Sequence, residues 1–345
     1  MKKNIILFFI VAFLFSCTKN LLVEPSYEEG LNPELYEAFN QAKEINNIRS
    51  LSIYQNGNLI RQACYNDCNP YLPQDVRSVT KSIVSLLIGI AIDKGFIKSI
   101  DQTLSEFEIP VIDSLPIKIS HLKLHHLLSM TAGFDWEELQ NVYNYNWWIK
   151  APSQIQYIIT KPIVNEPGSI FSYNSASYHL LSIVLTNASK MNTLEFATKY
   201  LFEPLDIGIR TWEKDKEGFY NGSSGLCLSP YDMYKIGQLV LNHGEYNGKK
   251  IVSPKWIDEI TSGNIQTGTS HPYANEYGLG WWIGYKNNKK YIFANGYGGQ
   301  YIVIVPDNNL IITATNHWSG VKYSLTQDQW IRTMKIIVEE IIPYF

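Results

Sequence analysis

The sequence predicts an α+β fold: one antiparallel sheet assembled from both ends of the chain and flanked by helices, with an all-helical subdomain inserted between them. Three observations lead there. Strand-like runs cluster before residue 65 and after residue 290, the stretch 78–200 has mostly helical apolar periods, and helix caps recur in the last third. The expected division is a sheet part at about 32–75 and 210–345 and a helical part at about 76–209. A chain of 345 residues is long enough to bury an ordinary core in this way.

Each element has its own signal. Asn32-Pro33 opens the first helix, since asparagine caps and proline suits the first helical position. Leu35, Ala38, Phe39 and Ala42 give that helix one apolar face. Two short runs then flank Asn56-Gly57, the strongest short hairpin signal. Residues 78–92 are almost wholly apolar and stop at Gly95, which reads as a buried helix with a glycine cap. Residues 120–130 and 193–201 read as further helices. Ser229-Pro230 and Ser253-Pro254 each pair a cap with a first-turn proline. Strands are expected at 291–294, 300–305 and 310–315, the last two joined by the turn sequence Pro306-Asp-Asn-Asn309. A closing helix spans 326–342.

The composition excludes some functions. With 45% apolar and 18% charged residues the chain is a folded globular protein. A net charge of −3 and the lack of a basic tail leave no clustered positive surface for nucleic acid. The adjacent His125 and His126 point to different helix faces, and no cluster has zinc-ligand spacing, so neither metal nor cofactor is expected. Aromatic residues, at 13%, suit either a cleft for an amphipathic small substrate or an aromatic-rich core. The run Tyr143-Asn-Tyr-Asn-Trp-Trp148 is the segment expected to border such a cleft, with packing inside the helical subdomain as the alternative.

The N-terminus reads as a sorting signal. Lys2 and Lys3 precede an apolar run of eleven residues, Ile5 to Phe15. A bilayer span needs about 20, so residues 1–16 are expected to be a signal peptide. Leu14-Phe15-Ser16-Cys17 resembles the bacterial lipobox, which implies lipidation of Cys17, a tether at 17–31, and an exported lipoprotein of the bacterial cell envelope held to a membrane by its lipid. Plain signal cleavage is the alternative. An oxidising compartment would permit a Cys64–Cys68 bridge. In an extended strand the two would lie roughly 13 Å apart, beyond disulfide reach, so a bridge requires a tight turn at Tyr65-Asn66-Asp67.

The chemistry centres on Ser78-Val-Thr-Lys81, whose spacing sets a hydroxyl and an amine on one helix face, a turn apart. Serine becomes nucleophilic beside a base, and a neutral lysine serves. Burial lowers a lysine from about 10.4 by roughly 3–5 units, and the apolar helix after Ser78 is a setting for that. Ser-x-x-Lys occurs four times, at Ser16, Ser78, Ser120 and Ser319. Ser16 belongs to the signal and Ser319 to a polar loop, while Ser120 sits where a helix N-cap is expected. Only Ser78 opens a long buried helix, whose positive end and N–H would face an oxyanion.

Further segments fall in a telling order: Arg77-Ser-Val-Thr-Lys-Ser82, His125-His-Leu-Leu-Ser-Met-Thr-Ala-Gly133, Pro167-Gly-Ser-Ile-Phe-Ser-Tyr173-Asn-Ser175, Gly225-Leu-Cys-Leu-Ser-Pro-Tyr-Asp232, Tyr277-Gly-Leu-Gly-Trp-Trp282 and Gly296-Tyr-Gly-Gly-Gln300. Together, from about residue 45 to the C-terminus, they resemble the serine β-lactamase, class C and penicillin-binding-protein-like superfamily. The resemblance implies a β-lactamase/transpeptidase-like fold, Ser78 as the acylated serine, Lys81 as its partner, and Tyr173 as the tyrosine of the Tyr-x-Asn motif that shuttles protons to the leaving group. A tyrosine near 10 would need lowering by a cation such as Lys81 for that task.

Two departures from the pattern narrow the function. Ser175 stands at the motif's asparagine, with less reach toward a substrate amide. The third motif, usually Lys-Thr-Gly or His-x-Gly, corresponds to Ala294-Asn295-Gly296, or in another register to Gly296-Tyr297-Gly298, and neither holds a cation. Gly296 and Tyr297 are thus expected to meet substrate without fixing a carboxylate. Loss of that cation is more at home in the esterase and linear-amide hydrolase branches, such as aminohexanoate-oligomer hydrolases. The expected partner is a small-molecule ester or amide, cleaved through an acyl-serine. The alternatives are a D-amino-acid or peptidoglycan-directed peptidase or weak β-lactamase, and, outside enzymes, a surface penicillin-binding or sensing protein.

Overall fold

The computed structural model describes residues 33–345 apart from 67, 111–113, 140, 141, 209 and 264. The expected signal peptide, the tether and Cys17 lie outside the described residues. No helix among the described residues is long and apolar enough to cross a membrane.

An eight-stranded antiparallel sheet forms the centre. The N-terminal hairpin supplies β1 (Ile48–Gln55) and β2 (Asn58–Cys64), with Asn56 and Gly57 at φ 51° and 78° in the turn. Away from the sheet, β3 (Gln74–Asp75) pairs with β4 (Cys227–Leu228), and β5 (Glu245–Tyr246) with β6 (Lys249–Lys250). The other six strands of the sheet come from the C-terminal part: β7 (Ile265–His271), β8 (Ala274–Tyr277), β9 (Trp282–Lys286), β10 (Lys289–Gly296), β11 (Gln300–Val305) and β12 (Leu310–Asn316). The order β2-β1-β12-β11-β10-β9-β8-β7 joins the two ends of the chain at β1 and β12. Cys64 and Cys68 are bridged, their Cα atoms 5.3 Å apart across a turn in which Asn66 has φ 52°.

β11 and β12 are buried at every position, which explains why most of their residues are apolar. Helices α1 (Pro33–Lys43), α2 (Val79–Asp93), α9 (Pro230–Leu241) and α11 (Tyr323–Lys335) pack against the sheet. Gly237 of α9 (Pro230–Leu241) approaches Ile302 and Ile311 so closely that a Cβ would lie 2.8 Å from the latter. Tyr301, next along β11 and therefore on the opposite face, donates to the Trp330 carbonyl of α11 at 3.0 Å. The closing helix continues beyond Lys335 as a wider turn at Ile336–Ile341.

Between the strands lie α2 (Val79–Asp93), α3 (Ile117–Ser120), α4 (Leu124–Leu128), α5 (Tyr143–Lys150), α6 (Gln154–Ile159), α7 (Ser175–Ser189) and α8 (Thr193–Ala197). α7 touches α2, α4, α6 and α8 and so holds this part together. The single helix expected over 120–130 is instead α3 and α4. The chain is drawn out between them because Leu122 O accepts from Leu104 N at 2.9 Å and Leu124 N donates to Gln102 O at 3.0 Å, a tertiary pairing that overrides local periodicity. Ser120 is accordingly no N-cap: it ends α3 and its hydroxyl donates back to Ile117 O. Ser229 caps α9 as expected, accepting from Asp232 N at 3.1 Å. Ser253 precedes α10 (Pro254–Ile260) without a side-chain cap.

α2 is the element on which the site depends. Residues 79–91 are all buried. Ser82 donates to Gly280 O at 2.6 Å and Ser85 donates to Leu279 O, so the Tyr277–Trp282 segment pins the helix by its own carbonyls. At Gly89 an added Cβ would meet the Trp256 ring at 2.1 Å. Gly89→Ala gains about 1 kcal/mol of helix propensity, but a clash with a buried indole costs about 1–3 kcal/mol. The variant should therefore unfold at lower urea than wild type. Unchanged or higher stability would show that Trp256 is free to yield.

Candidate active site

Arg77 makes the turn from β3 into α2 with φ 51°, an uncommon conformation for a non-glycine residue. Its N–H donates to Asp75 Oδ1 at 2.7 Å and its guanidinium to Asp75 Oδ2 at 3.2 Å and Tyr145 Oη at 2.9 Å, while stacking 4.3 Å over the Trp318 ring. Ser78 follows at the N-cap of α2, yet its side chain accepts no capping bond. The hydroxyl is engaged by Lys81 instead, with Nζ 2.9 Å from Oγ.

Lys81 is 2% exposed. Its Nζ also donates to Ser223 O at 3.1 Å, in a loop held by Asn221, whose Oδ1 accepts from Ser223 N and Oγ. Burial lowers the Lys81 pKa from 10.5 to about 7, with Glu138 opposing the shift and Arg77 adding to it. A lysine in this setting is a neutral amine over much of the physiological range.

Tyr173 sits before α7, whose N-cap Asn174 accepts from Ser177 N. The His125–Gly133 segment positions it: Met130 O accepts from Ser172 N at 2.8 Å, and a Cβ on Gly133 would strike Asn165 O at 2.2 Å. The tyrosine hydroxyl hydrogen-bonds Ser78, and Lys81 Nζ lies 4.9 Å from its ring centroid. The expected lowering of its pKa is not what the site produces. Burial, aided by Glu138, raises it well above 10, so Tyr173 is a neutral phenol, suited to giving a proton rather than starting as a base.

These groups open into a cleft of about 580 Å³ lined by Ser78, Tyr173 and residues from both parts of the fold. Gly296 closes β10 against the nucleophile turn, since a Cβ there would lie 2.3 Å from Val76 O. Asn295 and Tyr297 line the cleft, but Asn295 Oδ1 accepts from Trp330 at 2.8 Å and Tyr297 Oη pairs with Thr326 at 2.6 Å. Ser175 does not reach the cleft wall: it is 1% exposed and its N–H and hydroxyl both donate to Glu138. The expectation of Ser175 as a substrate contact is corrected in this sense, because a buried hydroxyl with a carboxylate partner is not free for a ligand. Of the aromatic stretch, Tyr145 and Asn146 line the cleft, whereas Trp148 is buried against Trp136 and His179.

Glu138 is the site residue that sequence reasoning missed. It lies in a loop and matches no spacing rule, so only the folded chain reveals it. The rival Ser120–Lys123 pair makes no dyad, since Lys123 Nζ bonds Asp101 at 2.9 Å. A groove of similar size, about 600 Å³, between residues 114–119 and 156–163 holds no Ser–Lys hydrogen bond.

Residues 49–331 match the family described as Beta-lactamase. The chain belongs to the beta-lactamase family. The 6-aminohexanoate-dimer hydrolase of Paenarthrobacter ureafaciens is 22% identical over 288 residues, covering 75% of this chain and 72% of that relative. A candidate 6-aminohexanoate-dimer hydrolase from Bacillus anthracis superposes with TM-score 0.69 at 19% identity, over 88% of this chain and 82% of that one. EstCE1, a hydrolase with promiscuous acyltransferase activity, superposes with TM-score 0.64 at 16% identity, over 87% and 97%. These structures share the β-lactamase fold with the present chain, a serine hydrolase of the beta-lactamase family.

The pH dependence follows from Lys81. With Lys81 as the base, the neutral amine would be the active form, so kcat/KM should rise with pH through about 7. Lys81→Met should lower turnover about 10²–10⁴-fold. It should also stabilise the protein. Between pH 7 and 10.5 the unfolded chain holds a proton on Lys81 that the folded chain has released, so unfolding free energy rises with pH across that window. The penalty is fully present below about 7, where Lys81→Met should gain a few kcal/mol in urea unfolding, and the gain should vanish above about 10.5. A flat profile across pH 7 or wild-type turnover would place the base elsewhere.

Proposed function

We propose that the chain hydrolyses a carboxylic ester or linear amide through an acyl-Ser78 intermediate. The observation that carries this reading is the 2.9 Å contact between Ser78 Oγ and a buried Lys81 whose pKa falls to about 7. Neutral Lys81 takes the hydroxyl proton as Oγ bonds to the carbonyl carbon. The negative charge moves to the carbonyl oxygen, toward the Ser78 N–H and the positive end of α2. Tyr173 gives its proton to the departing alcohol or amine and regains one from Lys81. Water then attacks the acyl-serine by the same route in reverse and releases the acid. A protein that only bound a ligand would have no use for an amine held neutral at a cost in stability.

The choice of ester or linear amide over β-lactam rests on the third motif. Ala294 is wholly buried, and Asn295 and Tyr297 are tied to α11. Arg77, a cation at the cleft, is committed to Asp75 and Tyr145. The names of two relatives agree with this, one a 6-aminohexanoate-dimer hydrolase and one a hydrolase with promiscuous acyltransferase activity. Apolar groups at the mouth, Leu139, Val142, Tyr323 and Ile331, favour an apolar portion in the substrate.

A fluorophosphonate probe should label Ser78, and Ser78→Ala should abolish both labelling and hydrolysis with the fold intact. An adduct on Ser120 would sink the assignment. A chromogenic cephalosporin should be cleaved with lower kcat/KM than p-nitrophenyl acetate or butyrate, since one lost charged hydrogen bond is worth about 1.5–3 kcal/mol. A cephalosporin rate above both esters would move the reading to β-lactamase.

We further propose, from residues 1–17, that the protein is exported and lipid-anchored at Cys17. Expressed in a bacterium, it should partition with membranes and carry a diacylglyceryl mass on Cys17, and Cys17→Ser should release or misprocess it. Wild type found free in the periplasm would leave plain cleavage.

A further inference from the structure

The cleft carries an unbalanced charge. Among the described residues lining it, only Arg77 and Glu138 are charged side chains. Arg77 is neutralised locally by Asp75, 3.2 Å away. Glu138 is not. Its carboxylate accepts from Trp136 Nε1 at 2.9 Å, from Ser175 N at 2.8 Å and from Ser175 Oγ, all neutral donors. No Lys, Arg or His nitrogen among the described residues stands within 4.0 Å of it.

We propose that Glu138 is a subsite for a cationic group of the substrate, an ammonium carried on the acyl or the leaving side of the scissile bond. The inference rests on the hydrolase reading above and names its substrate class. Three donors among the described residues hold the carboxylate, and an ionised carboxylate offers about four acceptor positions, which leaves one for a ligand. Among the described residues, Oε1 has Ser175 as its only hydrogen-bond partner. Lys81 feels the Glu138 charge, but Lys81 works as the neutral amine and in that state leaves the carboxylate unopposed. A substrate ammonium supplies the missing charge in a half-enclosed cleft, where a charge-assisted hydrogen bond is stronger than in water. The same field disfavours a substrate carboxylate. Ser175 also finds its purpose here: in place of an asparagine reaching for substrate, it holds a carboxylate that does so.

Two isosteric pairs test the two sides of the bond. β-Alanine p-nitroanilide against butyric p-nitroanilide places the cation on the acyl side, and 2-(dimethylamino)ethyl thioacetate, whose protonated amine keeps an N–H, against 3-methylbutyl thioacetate places it on the leaving side. In at least one pair the cationic member should have kcat/KM about 10-fold or more above its neutral partner, and the ratio should shrink as salt is added. Glu138→Gln should bring that ratio close to one, while Glu138→Asp, keeping the charge, should retain part of it. Fluorophosphonate labelling of Ser78 checks that each variant is assembled, and the salt series on wild type decides the matter if a variant fails to fold. A ratio at or below one in both pairs, or a preference that survives both salt and Glu138→Gln, would overturn the inference. Turnover of the neutral members alone sinks this inference and leaves the hydrolase reading standing. Turnover of neither pair nor any p-nitrophenyl ester removes both.

Discussion

The burial of Lys81 beside Ser78 is the constraint on which the rest of the structure turns. An amine with a pKa near 10.5 is useless as a base at neutral pH, and one near 7 is useful. The shift comes from desolvation, so it exists only while α2 is enclosed by other elements. Ser82 and Ser85 donate to the Gly280 and Leu279 carbonyls, Gly89 accepts the Trp256 ring, and α7 lies alongside. The polar groups near Nζ, Ser78 Oγ and Ser223 O, satisfy the amine without paying it back with a countercharge in contact.

The sheet serves this arrangement from a distance. Joining β1 to β12 closes the two ends of the chain into one body, and β10 brings Gly296 against Val76 O at the nucleophile turn. The glycine is needed because any side chain would hold the strand off. Helical and sheet parts thus meet at the cleft, and Arg77 ties them: it bonds Tyr145 of α5 while stacking on Trp318, which follows β12. The uncommon φ of Arg77 is sustained by these contacts.

Electrostatics in the cleft follow a consistent division. Tyr173 is raised by burial and by Glu138, Lys81 is lowered by burial and partly restored by Glu138, and Arg77 is matched by Asp75. Burial thus pushes the amine of Lys81 and the phenol of Tyr173 in opposite directions, so both are held in their neutral forms. Glu138 is left, among the described residues, as the charge with neutral hydrogen-bond donors and no ion pair.

The sequence by itself determined the elements whose signals are local. The α1 face, the Asn56-Gly57 hairpin, the buried helix after Ser78, the Ser229 cap and the strands at 291–315 were all legible, because caps, turns and apolar period act over a few residues. The Ser78–Lys81 pairing was legible for the same reason, since a three-residue spacing on a helix is a distance. Tertiary structure alone decided the rest. The break between α3 and α4 comes from pairing with residues 102–104, the direction of the Tyr173 shift from how deeply its hydroxyl is buried, and the turning of Ser175 from Glu138 arriving out of a loop 37 residues away. None of these has a local signature, because desolvation and contact depend on which distant segments the fold brings together.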